Sequence, residues 1–227
     1  MSSVSIYDQI FEDNIQEICI GNVQIDPYLN EHAVDGRLGI SLIIPIQKSR
    51  QDYDALVAQF RAISPDQYYY PFDDLHITVF DFVQASKDYT RNEGQEDDFR
   101  LISHEALTDI EQFPLRLCGP VFSRAAGLLA GYDDDILISI RNEIRRLMAK
   151  RGLRNDERYE SRSAHVTFCR FRSPLKDPTG FVSLIDACRD LHLGSEQVGC
   201  MELVEHDWYN SKATKRVIAS FTLGMDG

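Results

Sequence analysis

From residue 39 onward the apolar positions switch repeatedly between a period of two and a helical period, and those switches divide the chain into strands and helices. Residues 39–45 (GISLIIP) form a short β-rich apolar run that predicts a buried strand, and residues 49–63 carry Tyr53, Leu56, Val57 and Phe60 at helical spacing. Strand character returns over 75–82, and a stretch rich in Asp, Glu and Asn over 84–98 predicts a loop. A helix over 99–113 and a strand over 115–121 complete a first half. The second half repeats the order, with a strand at 127–131, a helix at 133–150 and a strand at 164–171. A helix at 179–191 and closing strands at 197–205 and 215–223 finish it. The first 36 residues stand apart: Ile6, Ile10, Ile15 and Ile18 can line one helical face, and Val23 with Ile25 suggests a short strand. We read residues 1–36 as an N-terminal extension packed on one main body, residues 37–227.

The repeat extends to residue identity. LHITVFDF (75–82) and AHVTFCRF (164–171) align at an offset of 89 and share His, Thr and the final Phe. A duplicated α+β lobe is the simplest explanation. Side chains alternate faces along a strand, so His76 and Thr78 point one way while Leu75, Ile77 and Val79 point the other. His165 and Thr167 likewise share a face opposite Val166 and Phe168. Each strand thus gives an apolar face to a core and an imidazole plus a hydroxyl to something else, and in a duplicated fold the two polar faces can meet.

Those groups suit the cleavage of a phosphodiester, which needs a base to activate the nucleophile and an acid to protonate the departing oxygen. Imidazole, with an unperturbed pKa of about 6.5, serves either role near neutrality. Two of them on opposite sides of one phosphorus serve both at once, while threonine hydroxyls donate to the non-bridging oxygens. A zinc or nickel hydrolase built on the same histidines would need further ligands, such as His-x-His, and neither motif offers one. No metal and no other cofactor is therefore expected.

HITV and HVTFCR, 89 residues apart, resemble the paired motifs of the two-histidine (2H) phosphoesterase superfamily, which includes 2′,5′ RNA ligase-like proteins and cyclic nucleotide phosphodiesterases. The resemblance spans residues 38–223 and leaves out the extension. It implies a bilobal fold with two antiparallel sheets lining a central cleft, helices outside, and His76, Thr78, His165 and Thr167 holding one phosphate between them. It also implies that His165 is the base that activates water and His76 the acid. The family often has His-x-Thr-Leu-Ala-Arg at the second motif. Arg170 falls at that arginine, with Phe168 and Cys169 as departures, but strict alternation puts Arg170 on the apolar face. It reaches a phosphate only if the strand ends or bulges there. Tyr68, Tyr69 and Tyr70 precede the first motif and are candidates for stacking a nucleobase. The reaction expected is hydrolysis of a cyclic phosphodiester, first a 2′,3′-cyclic phosphate. The alternative is a protein that binds a nucleotide or RNA end with little turnover, or a 2′,5′ RNA ligase.

Charge narrows the substrates. A formal net charge of −12 opposes adhesion to long duplex nucleic acid, which needs clustered Lys and Arg. Residues 141–172 nonetheless hold ten Lys or Arg against four Asp or Glu, most of them read as a solvated helix face and the loop after it. This end would attract a small anion, so a nucleotide or short RNA end is the expected partner of a monomer. The five cysteines are scattered with no CxxC pair, which supports neither a zinc site nor a disulfide framework. His32, His104, His192 and His206 have no partner at ligand spacing and are read as surface or structural. The opening MSSVSIYDQIFEDN carries acid rather than a basic flank, and no apolar run approaches a membrane span, so a cytoplasmic protein with no membrane contact is expected.

Overall fold

The computed structural model describes residues 5–29, 35–155, 157 and 160–224. Its helices are α1 (Ile6–Cys19), α2 (Arg50–Ile63), α3 (Glu93–Leu107), α4 (Ile136–Lys150) and α5 (Pro178–Cys188). Its strands are β1 (Leu38–Pro45), β2 (Tyr68–Tyr69), β3 (His76–Ser86), β4 (Phe113–Phe122), β5 (Ala126–Tyr132), β6 (Val166–Arg170), β7 (His192–Val198), β8 (Cys200–Asp207) and β9 (Arg216–Thr222). Among the described residues no helix is long and apolar enough to cross a membrane.

The strands run in the order β7-β4-β5-β6-β3-β1-β8-β9, antiparallel throughout, with β2 added on β6. This order is two four-stranded sheets set edge to edge. The two edges that meet are β3 and β6, the strands that carry the histidine motifs, and their register runs through Ile77 and Val166. The α+β bilobal arrangement with paired antiparallel sheets is therefore present. The chain does not fill it half by half, however. β4, expected to close the first lobe, lies in the second sheet, and β8 with β9 completes the first. A three-residue turn accounts for β4: the Ser123 hydroxyl accepts from the N–H groups of Ala125 and Ala126, and the tight hairpin pairs β4 with β5.

The helices cross over as well. α2 follows β1 of the first sheet, yet Phe60 packs on Phe168 of β6 and Phe181 of α5, at 5.8 and 5.3 Å between ring centroids. α4 follows β5 of the second sheet, yet it packs on α3 and β3. Each half's connecting helix therefore supports the other half's motif strand, so burial of one apolar core ties the lobes together.

The N-terminal segment packs against α5 and β4 through α1, which is capped by the Ser5 side chain accepting from the N–H of Asp8. Ile18 is fully buried and Ile6 is exposed. The Tyr7 hydroxyl accepts from the N–H groups of Gly131 and Ala164, both at 3.1 Å, and donates to the Gly131 carbonyl at 2.9 Å. All of its hydrogen-bonding capacity is used, and one of those bonds fixes the residue before His165. Val23 and Ile25 do not form a strand. The chain there is held by single bonds, from Gln24 N–H to the Arg124 carbonyl and from Asp26 N–H to the Phe171 carbonyl.

Candidate active site

Because β3 and β6 are antiparallel with Ile77 opposite Val166, the register sets His76 across from Thr167 and Thr78 across from His165. Ile77, Val79, Val166 and Phe168 are all buried on the opposite face. Directly opposed positions in such a pair have Cβ atoms about 5 Å apart and successive same-face positions about 7 Å apart. The two histidines therefore lie on a diagonal of roughly 8 Å, enough to flank a tetrahedral group. His76, Thr78, His165, Thr167 and Arg170 all line one cavity of about 260 Å³.

Arg170 reaches this cavity because β6 bulges. Gly127 pairs with Cys169 and Leu128 with Thr167, so Phe168 is the extra residue. Phe168 and Cys169 both go to the core, and Arg170 returns to the face of Thr167. The bulged Phe168 crowds β5, where a Cβ on Gly127 would sit 2.9 Å from its ring and 2.5 Å from that of Phe122. Arg170 Nε donates to the Tyr70 hydroxyl at 2.9 Å, and its guanidinium lies 5.6 Å from the centre of the Trp208 ring.

The first motif bulges at the matching place. Leu42 pairs with Phe80 and Ile43 with Thr78, which leaves Val79 extra and turns Asp81 onto the cavity face. Asp81 and Arg170 are 89 residues apart, the offset of the repeat. The duplicated unit is thus His-x-Thr-x-x-Asp in one copy and His-x-Thr-x-x-Arg in the other.

Each histidine is oriented from behind. His76 Nδ1–H donates to the Asp74 carbonyl at 2.9 Å, and the Asn210 amide lies 3.0 Å from the same nitrogen. His165 Nδ1 is 2.7 Å from the Ser163 hydroxyl. With Nδ1 engaged in both rings, Nε2 is the nitrogen left for the cavity. Burial lowers His76 to about 3 despite its bond to Asp74. Burial, then the Arg141 and Arg170 charges, lowers His165 to about 4. Both imidazoles are neutral at pH 7.

A depressed histidine takes up its proton in the unfolded chain near pH 6.5 but in the folded chain only near 4, so between those values the unfolded state binds more protons and folding weakens as pH falls. Wild type should therefore lose stability relative to His165→Gln, at up to about 1.4 kcal/mol per pH unit, as pH drops from 6.5 toward 4. Urea denaturation at several pH values measures this. A constant offset between the two proteins would refute the burial effect.

Three further contributors, beyond Asp81, Ser163 and Asn210, lie outside the residues that sequence reasoning selects. Arg141, fully buried on α4, donates from Nε to the Val79 carbonyl at 2.8 Å and from Nη2 to the carbonyls of Thr78 and Ser163, at 3.1 and 2.8 Å. It therefore fastens the two motif segments together from beneath. His206, a surface or structural residue by sequence, is buried on the cavity wall, its ring centroid 6.4 Å from that of His76. Trp208 lies at the cavity mouth with Arg37 stacked 4.2 Å over it. Of the other histidines, His104 and His192 are exposed and His32 lies outside the described residues. The three tyrosines separate. Tyr70 lines the cavity, and Tyr68 packs between Tyr70 and Tyr209. Tyr69 turns to the far side, its hydroxyl on the Ser64 carbonyl and the Arg61 guanidinium over its ring.

No protein-family model matches the chain, and no curated protein matches it. Solved structures do. TT0787 of Thermus thermophilus aligns with a TM-score of 0.59 at 15% identity over 82% of this chain and 97% of that one. LigT of E. coli, complexed with 3′-AMP, aligns at 0.52 and 15% over 83% and 99%. A structure described as a phosphoesterase aligns at 0.52 and 15% over 82% and 99%. At such identities the likeness is one of fold.

Proposed function

We propose that this chain, which has the 2H phosphoesterase fold, cleaves a phosphodiester of a nucleotide or short RNA end without a metal, with a 2′,3′-cyclic phosphate as its first substrate. One observation carries this reading: the two His-x-Thr pairs face one another across the single β3–β6 junction and line the same cavity. LigT, which shares the fold, is described in complexes with 3′-AMP and with phosphate, and this supports placing a phosphate there.

In the reaction the phosphate sits on the diagonal between the rings, its non-bridging oxygens accepting from Thr78, Thr167 and Arg170. The Ser163 hydroxyl accepts from His165 Nδ1–H, which leaves Nε2 bare to take a proton from water as the water oxygen bonds to phosphorus. The ring P–O bond breaks on the opposite side, and His76, as imidazolium, gives its Nε2 proton to the departing ribose oxygen. The Asp74 carbonyl backs that cation in either state, since it accepts from Nδ1–H throughout. The His76 proton arrives with the substrate, whose negative charge in a desolvated cavity draws the imidazole pKa upward. After release His165 is charged and His76 neutral, and exchange with solvent resets both. Trp208, exposed beside Arg170, offers a ring face to a nucleobase.

The test is a panel of 2′,3′-cyclic nucleotides, 2′,5′- and 3′,5′-dinucleotides, cyclic dinucleotides and ADP-ribose 1″,2″-cyclic phosphate, assayed in EDTA with products identified by phosphorus NMR. We expect cyclic-phosphate opening that EDTA leaves unchanged. No product from any member between pH 5 and 8, or loss of turnover in EDTA, would sink the proposal.

A further inference from the structure

The cavity contains a second group of linked polar side chains that the acid–base chemistry leaves unused. His206 Nδ1 is 2.6 Å from the Asp207 carbonyl, which can only accept, so Nδ1 carries a proton. His206 Nε2 is 2.7 Å from the Ser41 hydroxyl oxygen, and that oxygen is 2.6 Å from Asp81 Oδ1. Each of these two gaps needs one proton. Ser41 supplies one, so Asp81 and His206 share a single further proton. The trio is then an acid with a neutral imidazole, or a carboxylate with an imidazolium, and its net charge is zero in both forms. Asp81 also faces Glu157 and Arg141, and His206 faces Asp207, Lys215 and His76. A bare carboxylate beside an anion site would repel the ligand. The shared proton removes that cost and lets a carboxyl sit where its repeat counterpart, Arg170, sits on the other side.

We propose that Asp81, held by Ser41 and His206, is a specificity-determining residue that accepts a hydrogen bond from a hydroxyl or amino group of the organic moiety on the Thr78 side of the phosphate. The proposal rests on the phosphate lying between the two His-x-Thr pairs. It gives the site two unlike ends, one cationic and aromatic at Arg170, Tyr70 and Trp208, the other a neutral hydrogen-bonding end at Asp81. A diester with different groups on its two sides would bind in one direction only.

The test uses two probes that need no turnover, adenosine 3′-monophosphate and inorganic phosphate, titrated by calorimetry into wild type, Asp81→Ala and Asp81→Asn. Asp81→Ala is expected to weaken the nucleotide about tenfold, the loss of one hydrogen bond of about 1.4 kcal/mol, and to leave phosphate within twofold. Asp81→Asn imitates the protonated acid: its amide N–H donates to Ser41 and its oxygen faces the ligand, so it should restore nucleotide binding to within twofold of wild type. Should Asp81→Ala fail to fold, the His206 ring signals of wild type, followed by NMR, should move with the nucleotide and stay in place with phosphate. Equal losses for both probes, no loss for either, or no rescue by Asp81→Asn would overturn the role of Asp81 while leaving the phosphate site intact. Failure of wild type to bind phosphate at all would overturn both readings together.

Discussion

Replacing His76 or His165 by alanine is expected to lower turnover of a 2′,3′-cyclic nucleotide by roughly 10²- to 10⁴-fold each, the range in which a positioned acid or base contributes. KM should change far less, because the ground-state phosphate keeps Thr78, Thr167 and Arg170. The double variant should be little worse than the weaker single one, since acid and base act in one transition state and their losses do not multiply. The two variants should also differ in a way that assigns the roles. A substrate with a better leaving group, such as a p-nitrophenyl phosphodiester, needs no acid to protonate the departing oxygen, so it should recover much of the rate lost in His76→Ala and little of that lost in His165→Ala. Rescue of the opposite variant would exchange the roles, and wild-type turnover in either variant would remove the histidines from the chemistry.

Much of this molecule can be read from periodicity, and its departures have identifiable causes. The motif strands, α2 and α4 fall within a few residues of their predicted limits because their apolar stripes are strong. α3 begins at Glu93 rather than 99. Its first turn lies in an acidic stretch that resembles a loop, yet Asn92 caps it by accepting from the Gln95 N–H, and Glu93 and Glu96 suit a helix N-terminus. β7 escapes prediction because HLGSEQV buries only Leu193, Glu196 and Val198, an uneven pattern for a strand on the outer edge of a sheet. Gly199 then separates it from β8, where the apolar pattern suggests a single strand.

The site divides in the same way. Its four central residues follow from strand alternation, and the place of Arg170 is conditional on a bulge that the structure contains. The same reasoning, carried to the first motif through the 89-residue offset, leads to Asp81. His206 leaves no mark in sequence because its partner Ser41, and Asp81 beyond it, come from two other strands.

Arg141 belongs by sequence to a basic helix face, and its neighbours behave that way: Arg145 pairs with Glu157, Arg146 with Glu143 and Arg151 with Glu105. Arg141 instead directs its donors to three backbone carbonyls, two on β3 and one in the segment that leads into β6. Arg141→Met should therefore be among the most damaging substitutions away from the cavity surface. Each carbonyl left buried without a donor costs about 1–3 kcal/mol, and relief from burying a guanidinium offsets part of the total, so a net loss of about 2–5 kcal/mol in urea denaturation is expected. Arg141→Lys should recover only a fraction, because one ammonium cannot span carbonyls that a planar fork reaches on both motif segments. In whatever Arg141→Met protein folds, removal of the buried cation should raise the His165 pKa, since that charge is among the causes of its depression. The acidic limb of kcat/KM should then move to higher pH. Wild-type stability together with an unmoved limb would show that the two motif strands hold their spacing without this residue.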